Sequence, residues 1–323
     1  MEYRRLGSSG LKVSQLSFGS WVTFGNQMDL KKAKECIQYS FEQGINFFDN
    51  AEVYAKGASE ELMGQAFREL GIPRHHYIIS TKFFWGIEDV VNFRNTLNRK
   101  YLMHAMHESL KRWKMDLIDL IYCHRPDPET PIEEIVQTMH EIIQRGDALY
   151  WGTSEWSAKQ IAEAYDFAVS NGFHRPVMEQ PQYNLIHHHK VDQEFTPLYK
   201  KMGLGLTTWS PLASGILTGK YLNTIPENSR LALKSMTWLQ EELHQPSIQK
   251  AVKELHQISE SSHIPMSQLA IGWCTLNPQV STVILGASRI EQLKENLKTL
   301  EILNSIRDLR KELSQIADLN ATA

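Results

Sequence analysis

Three apolar runs in this chain end in ionisable side chains: NFFDNAEVY carries Asp49 and Tyr54, IISTKFF carries Lys82, and DLIYCHRPD carries His124. Reducing a carbonyl needs a hydride at carbon and a proton at oxygen, and these four residue types suit the proton. A tyrosine is a proton donor, but its unperturbed pKa of ~10 is too high for easy transfer in both directions near neutrality. A neighbouring cation is expected to lower that value. Lys82 can supply the cation, and Asp49 can hold it charged and in place. His124 can hydrogen-bond the substrate oxygen or relay the proton. Singly, each has a plainer role: Asp49 as a cap, Lys82 as its ion-pair partner, His124 as a strand terminator. Their recurrence at consecutive strand ends is what points to one shared pocket.

Convergence requires neighbouring strands. Apolar or β-branched runs occur at Gln15–Gly19, Asn46–Asp49, Tyr77–Phe83, Leu117–Cys123, Ala148–Thr153, Val177–Gln180, Leu204–Trp209 and Val280–Leu285. Helical patterns separate them. Over Arg99–Trp113, Leu102, Met106, Leu110 and Trp113 recur at helical spacing. A helix over 131–145 opens with Pro131, followed by Glu133 and Glu134. Segment 247–262 puts Ile248, Val252, Leu255 and Ile258 on one face, and 288–300 does so with Leu293, Leu297 and Leu300. Strand starts are mostly about 30 residues apart, the size of one βα unit. The predicted fold is therefore α/β, a parallel (β/α)₈ barrel, with extra C-terminal helices. An N-terminal β-hairpin precedes it, Tyr3–Leu6 and Leu11–Ser14 joined by Gly7-Ser8-Ser9-Gly10. Catalytic groups in such a barrel come from strand C-termini. A doubly wound dinucleotide fold would want GxGxxG after its first strand, and Phe18-Gly19-Ser20-Trp21 does not match. The interval from Trp209 to Val280 is too long for one unit. A turn-rich stretch at Pro226-Glu227-Asn228-Ser229 and two helices predict a functional excursion over one barrel end. With no linker or repeat, residues 1–323 read as one domain.

Composition narrows the function classes. The 323 residues are 42% hydrophobic and 22% charged, with a net charge of −3, and no basic domain recommends nucleic acid as a partner. No apolar run approaches the ~18 residues of a membrane span, and MEYRRLGSSGLKVSQLSFG lacks the apolar core of a secretory signal. Cys36, Cys123 and Cys274 have no metal-like spacing, and an odd count fits the reducing cytoplasm. His187-His188-His189 cannot easily converge on one ion and reads as a surface patch at a helix start, so no metal is expected. Cys123 should face the helix layer if its neighbour His124 faces the pocket.

The chain resembles the aldo-keto reductase superfamily, in the branch of voltage-gated potassium channel β subunits and their bacterial relatives. The resemblance rests on FGSWVTFG (18–25), FDNAEVYAKGASE (48–60), STKFFWG (80–86), HRPDPETPIEE (124–134), YWGTSEWS (150–157), EQPQYN (179–184), TTWSPLASGILTGKY (207–221) and ILGASRIEQLKEN (284–296). It implies NADPH/NADP+ as cofactor and a catalytic tetrad of Asp49, Tyr54, Lys82 and His124. Asp49 is counted among the cofactor contacts as well. Trp21 and Gln27 match the nicotinamide end, Ser154 and Gln180 the carboxamide contacts, and Trp209 the aromatic stacked on the nicotinamide. Ser210, Pro211, Leu212, Ser214 and Gly215 match the loop over the pyrophosphate. Lys220, Arg230, Ser288, Gln292, Glu295 and Asn296 match the adenosine and 2′-phosphate end. The residues themselves support part of this. Ser288 with Glu291 reads as a capping box just past the last strand. Gly286 would let the backbone approach an anion at that helix N-terminus.

Two departures matter. The animal channel subunits carry Asn where this chain has His124, and Arg where it has Glu155. A carboxylate near a pyrophosphate is repelled, so no cofactor contact is expected of Glu155. Trp21, Tyr54, Trp85 and His124 are the expected substrate pocket. The expected activity is NADPH-dependent reduction of a small aldehyde or ketone in the cytoplasm. The alternative is an NADPH-binding sensor that regulates a membrane channel with slow turnover; no long N-terminal extension is present to plug a pore. The branch also implies homo-oligomers, tetramers or larger.

Overall fold

The computed structural model describes residues 1–21, Phe24, 28–222 and 237–318. Two short strands, β1 (Tyr3–Arg5) and β2 (Lys12–Ser14), pair antiparallel as the predicted hairpin. Then come β3 (Leu16–Gly19), β4 (Phe47–Asp49), β5 (Ile78–Phe83), β6 (Ile118–Cys123), β7 (Ala148–Ser154), β8 (Met178–Gln180), β9 (Gly205–Thr208) and β10 (Val280–Gly286). These close into one parallel barrel in that cyclic order. Closure is made by β10 on β3, in register from Val283–Leu16 to Gly286–Gly19. Each barrel strand falls on one of the apolar runs.

The hairpin seals the N-terminal end. Leu6 and Val13 join the barrel-interior residues Phe47, Ile78, Leu120, Tyr122, Met178 and Ile284 in one buried cluster. Its turn fits closely: Ser8 N donates to Gly203 O at 2.8 Å. A Cβ on Gly7 (φ +55) would sit 2.3 Å from that same oxygen. The C-terminal end of the barrel is the end left for a site.

Helices Leu30–Glu42, Ala58–Leu70, Arg99–Trp113, Ile132–Gln144, Ala158–Ser170 and Thr196–Met202 follow successive strands. Between β9 and β10, among the described residues, a short 3-10 turn (Ala213–Thr218) is followed by three α-helices, Thr237–Leu243, Pro246–Ser262 and Met266–Thr275, one more than the sequence predicts. Met266–Thr275 is buried on every side, so it presents no apolar stripe for periodicity to detect. After β10 come Ile290–Leu297, Leu303–Asp308 and Arg310–Asp318. Among the described residues no helix is long and apolar enough to cross a membrane.

The histidine patch is not wholly at the surface. His188 is buried, with Nδ1 3.1 Å from Asp192 Oδ2 and Nε2 3.1 Å from Ala317 O. Both partners only accept, so both ring nitrogens serve as donors. Burial opposes the charge, but the Asp192 bond, the largest influence, leaves the pKa raised.

Candidate active site

Strand pleating decides which side chains meet, because successive residues face opposite sides. Phe47 lies inside the barrel and Phe48 outside; Leu120 and Tyr122 lie inside, Ile121 and Cys123 outside with the helix residues. The same alternation carries Asp49, Lys82 and His124 inward at the C-terminal ends of β4, β5 and β6. Tyr54 arrives by a different route. It opens a tight turn in which Ala55 (φ 49), Lys56 (φ 52) and Gly57 (φ 92) are all left-handed before helix Ala58–Leu70 begins. Two consecutive non-glycine residues in that region store strain of order 1–3 kcal/mol each, as functional sites often do.

The four side chains meet. Lys82 Nζ donates to Asp49 Oδ2 at 2.7 Å, Asn50 O at 2.8 Å and Tyr54 Oη at 3.1 Å. That uses all its donors. Asp49 Oδ1 accepts from Ser80 Oγ at 2.8 Å and Gln180 Nε2 at 2.9 Å. Burial works against the Lys82 ammonium, yet Asp49 and Tyr54 together leave its pKa above the ordinary value. Tyr54 departs from expectation: its phenol lies above 10.0, not below. Burial raises it more than Lys82 lowers it, and Asp49 offsets part of the lysine's pull. The resting tyrosine is therefore a neutral phenol.

The His124 ring stands edge-on to Tyr54, centroids 6.0 Å apart. Burial first, then Lys82 and Arg125, hold its pKa well below 6.5, so it is a neutral imidazole. Its Nδ1 is buried without a hydrogen-bond partner. A buried orphan N–H is rarer than a buried orphan acceptor. The proton thus belongs on Nε2, which can donate to a carbonyl oxygen. Trp85 lies 6.3 Å from the His124 ring and is 36% exposed. Its loop is pinned by Tyr101 Oη, which accepts from Phe84 N at 3.0 Å and Gly86 N at 3.2 Å. Asp127 Oδ2 holds the loop's far end through Leu97 N at 2.8 Å.

The residues matched to a cofactor line the strand ends from β7 round to β10. Ser154 Oγ donates to Gln180 O at 2.9 Å, and Gln180 in turn donates to Asp49. Trp209 meets Trp21 edge-on at 5.8 Å. After it the chain folds back on itself: Ser210 (φ 57), Ala213 (φ 45), Ser214 (φ 55) and Gly215 (φ 102) are all left-handed. A Cβ on Gly215 would lie 2.6 Å from Lys220 Nζ. Backbone pressed this closely against an ammonium fits an anionic group such as a pyrophosphate. Pro211 is buried and Leu212 half-buried in the same loop.

The β10 end differs from the capping-box reading. Helix Ile290–Leu297 has Arg289 at its N-cap, with no side-chain cap. Because the helix starts later, Gln292 instead of Glu291 reaches back: its Oε1 accepts from Ser288 N at 2.9 Å and Ser288 Oγ at 3.1 Å. Glu295 accepts from Gln268 Nε2 at 2.8 Å, Asn296 is buried, and Gly286 is exposed. Gln27 and Arg230 lie outside the described residues.

The sequence profile of the Aldo/keto reductase family matches residues 15–316. The chain belongs to the aldo/keto reductase family. A probable voltage-gated potassium channel subunit beta of Arabidopsis thaliana is 51% identical over 304 residues, covering 94% of this chain and 92% of the relative. The rice protein of the same name matches to the same extent. A putative voltage-gated potassium channel subunit beta of Schizosaccharomyces pombe is 43% identical over 319 residues, 97% of this chain and 92% of the relative. As an aldo/keto reductase the chain is an oxidoreductase, of a family that generally binds NADP(H).

Sequence reasoning missed several supports of this aldo/keto reductase site. Ser80 and Asn50 hold the Asp49–Lys82 pair, and Tyr101, on the buried face of its helix, holds the Trp85 loop through its hydroxyl. Glu155 (φ 61) accepts from Gln182 N at 2.6 Å and Trp209 Nε1 at 3.0 Å through Oε1, and from Lys190 Nζ at 2.8 Å through Oε2. Burial raises its pKa, but Lys190 and these hydrogen bonds bring it below the usual carboxylate value. The departure from Arg at this position was legible; its partner Lys190, on a different loop, was not.

Proposed function

We propose that this aldo/keto reductase reduces aldehydes or ketones to alcohols, with NADPH as hydride donor. The observation that carries the reading is the Lys82 ammonium, 2.7 Å from Asp49 and 3.1 Å from Tyr54 Oη. Bound NADPH supplies the hydride. Tyr54 donates its phenolic proton to the substrate oxygen, and Lys82 stabilises the phenolate that forms. Asp49, held by Ser80 and Gln180, keeps Lys82 charged and fixed. His124 donates from Nε2 to the same substrate oxygen and orients it. A positioned general acid contributes typically 10²–10⁴-fold. Trp21 and Trp85 wall the substrate pocket.

For the cofactor, Trp209, Trp21, Gln27, Ser154 and Gln180 take the nicotinamide end, and Ser210, Pro211, Leu212, Ser214 and Gly215 take the pyrophosphate. Lys220, Arg230, Gly286, Ser288, Gln292, Glu295 and Asn296 take the adenosine end. We read residues 1–323 as one domain acting in the cytoplasm; its cysteines are free and buried, as a reducing compartment allows.

A second reading takes up the relatives' names, in which the chain is a subunit that binds a potassium channel; the family resemblance adds a homo-oligomer that uses NADPH as a sensor. Steady-state NADPH oxidation with a panel of aldehydes including methylglyoxal separates the two. Turnover at about 1 s⁻¹ or faster supports the reductase. Tight cofactor retention with negligible turnover supports the subunit.

A further inference from the structure

Arg125 directly follows His124, and its guanidinium reaches across the barrel mouth. Nη1 donates to His124 O at 2.5 Å and to Ser154 Oγ at 3.4 Å, so the head group bridges the ends of β6 and β7. Its Cζ lies 5.6 Å from the centre of the Trp85 ring, which itself stands beside His124. The side chain is only half-buried. Among the described residues no carboxylate lies within ion-pair distance, and Nε and Nη2 make no hydrogen bond. Its charge is felt at both Tyr54 and His124. A guanidinium at a partly desolvated pocket wall, with donors to spare and no counter-ion, is built for a ligand anion.

We propose that Arg125 binds an oxyanion carried by the substrate, which makes the preferred substrates aldehydes or ketones bearing a carboxylate or a phosphate. The inference rests on the reductase reading, in which the carbonyl lies between Tyr54 and His124. A group anchored at Arg125 would then sit on the His124 side of the pocket, against Trp85. The cofactor's own phosphates are assigned to the loops after β9 and β10, away from β6, so they do not account for this cation.

The test compares matched pairs: succinic semialdehyde against butanal for a carboxylate, glycolaldehyde phosphate against glycolaldehyde for a phosphate. The wild-type protein should favour one or both anionic members by roughly tenfold to a hundredfold in kcat/KM, the scale of charge-assisted hydrogen bonds. Whichever pair shows the larger ratio identifies the oxyanion. Arg125→Gln should collapse that ratio toward one, mainly through KM of the anionic member, and Arg125→Lys should restore part of it. A wild-type ratio near one in both pairs, or a ratio that survives Arg125→Gln, would overturn the proposal. So would a loss of NADPH affinity in Arg125→Gln that matches the loss of selectivity. If no aldehyde is reduced, the reductase reading fails by itself. The anion site is then judged by saturation-transfer NMR: 4-hydroxybutyrate should bind better than 1-butanol to the wild-type protein but not to Arg125→Gln. Equal binding of the two by the wild-type protein would contradict it.

Discussion

Glu155 and Trp209 are joined by a hydrogen bond, the indole Nε1 donating to Oε1 at 3.0 Å. The same carboxylate ties the loops after β7, β8 and β9, through Gln182, Trp209 and Lys190. Glu155→Ala leaves the Trp209 and Gln182 N–H groups without their acceptor and takes the counter-ion from Lys190, which keeps only the backbone oxygen of residue 155 at 3.2 Å. The Lys190–Glu155 side chains are 33% and 21% exposed, so water softens the loss to roughly 1–3 kcal/mol. Denaturant midpoints should register it. If Trp209 stacks on the nicotinamide, NADPH affinity should fall too, and Glu155→Gln, which keeps the Oε1 acceptor, should lose less of it.

Lys82 and Asp49 form a buried pair, with side chains 0% and 5% exposed. Removing one member strands the other charge, at a typical cost of 3–5 kcal/mol. Lys82→Met should therefore lower the denaturation midpoint strongly, whereas Tyr54→Phe should change it little. Equal midpoints for Lys82→Met and the wild-type protein would mean that the pair does not stabilise the barrel mouth.

The pH profile follows from the two displaced pKa values. Tyr54 donates when protonated, and its pKa is raised above 10.0, so its competence is lost only at higher pH. His124 is neutral down to well below 6.5. Reduction, measured as kcat/KM, should be flat from about pH 6.5 to 9. An acid limb near 6.5 that disappears in His124→Gln would contradict the neutral imidazole.

Glu52 and Glu179 are buried carboxyls, and burial pushes each up to about 8. For Glu52, Glu60 raises it further and Arg112 lowers it. The native state therefore keeps protons that the unfolded chain releases from 4.5 upward. Their contribution is fully present below 4.5 and is lost as pH rises through about 8. Urea titrations at pH 5 and pH 8.5 should show a smaller difference in stability for Glu52→Gln than for the wild-type protein. An unchanged difference would mean that Glu52 ionises normally.

The barrel was legible because each of its strands is a short apolar run spaced by one βα unit, and the tetrad because its members end three of those runs. What periodicity cannot register is burial on all sides, as in helix Met266–Thr275, or a one-residue shift of a helix start, which moved the reach-back from Glu291 to Gln292. Long-range polar contacts were equally silent: Glu155 to Lys190 spans 35 positions, and Gln180 to Asp49 spans 131. The Tyr54 pKa moves opposite to the charge argument because burial of the phenol outweighs the Lys82 ammonium, and burial at this depth is not visible in sequence. The burial of His188 is not legible locally because its acceptor, Ala317 O, belongs to a helix far along the chain.

The most direct measurement is single-turnover reduction of a good aldehyde by the NADPH-loaded Tyr54→Phe variant, alongside its NADPH affinity. The account predicts NADPH binding within about twofold of the wild-type protein and reduction slowed by roughly 10²–10⁴-fold. Reduction at the wild-type rate would contradict the assignment of Tyr54 as proton donor.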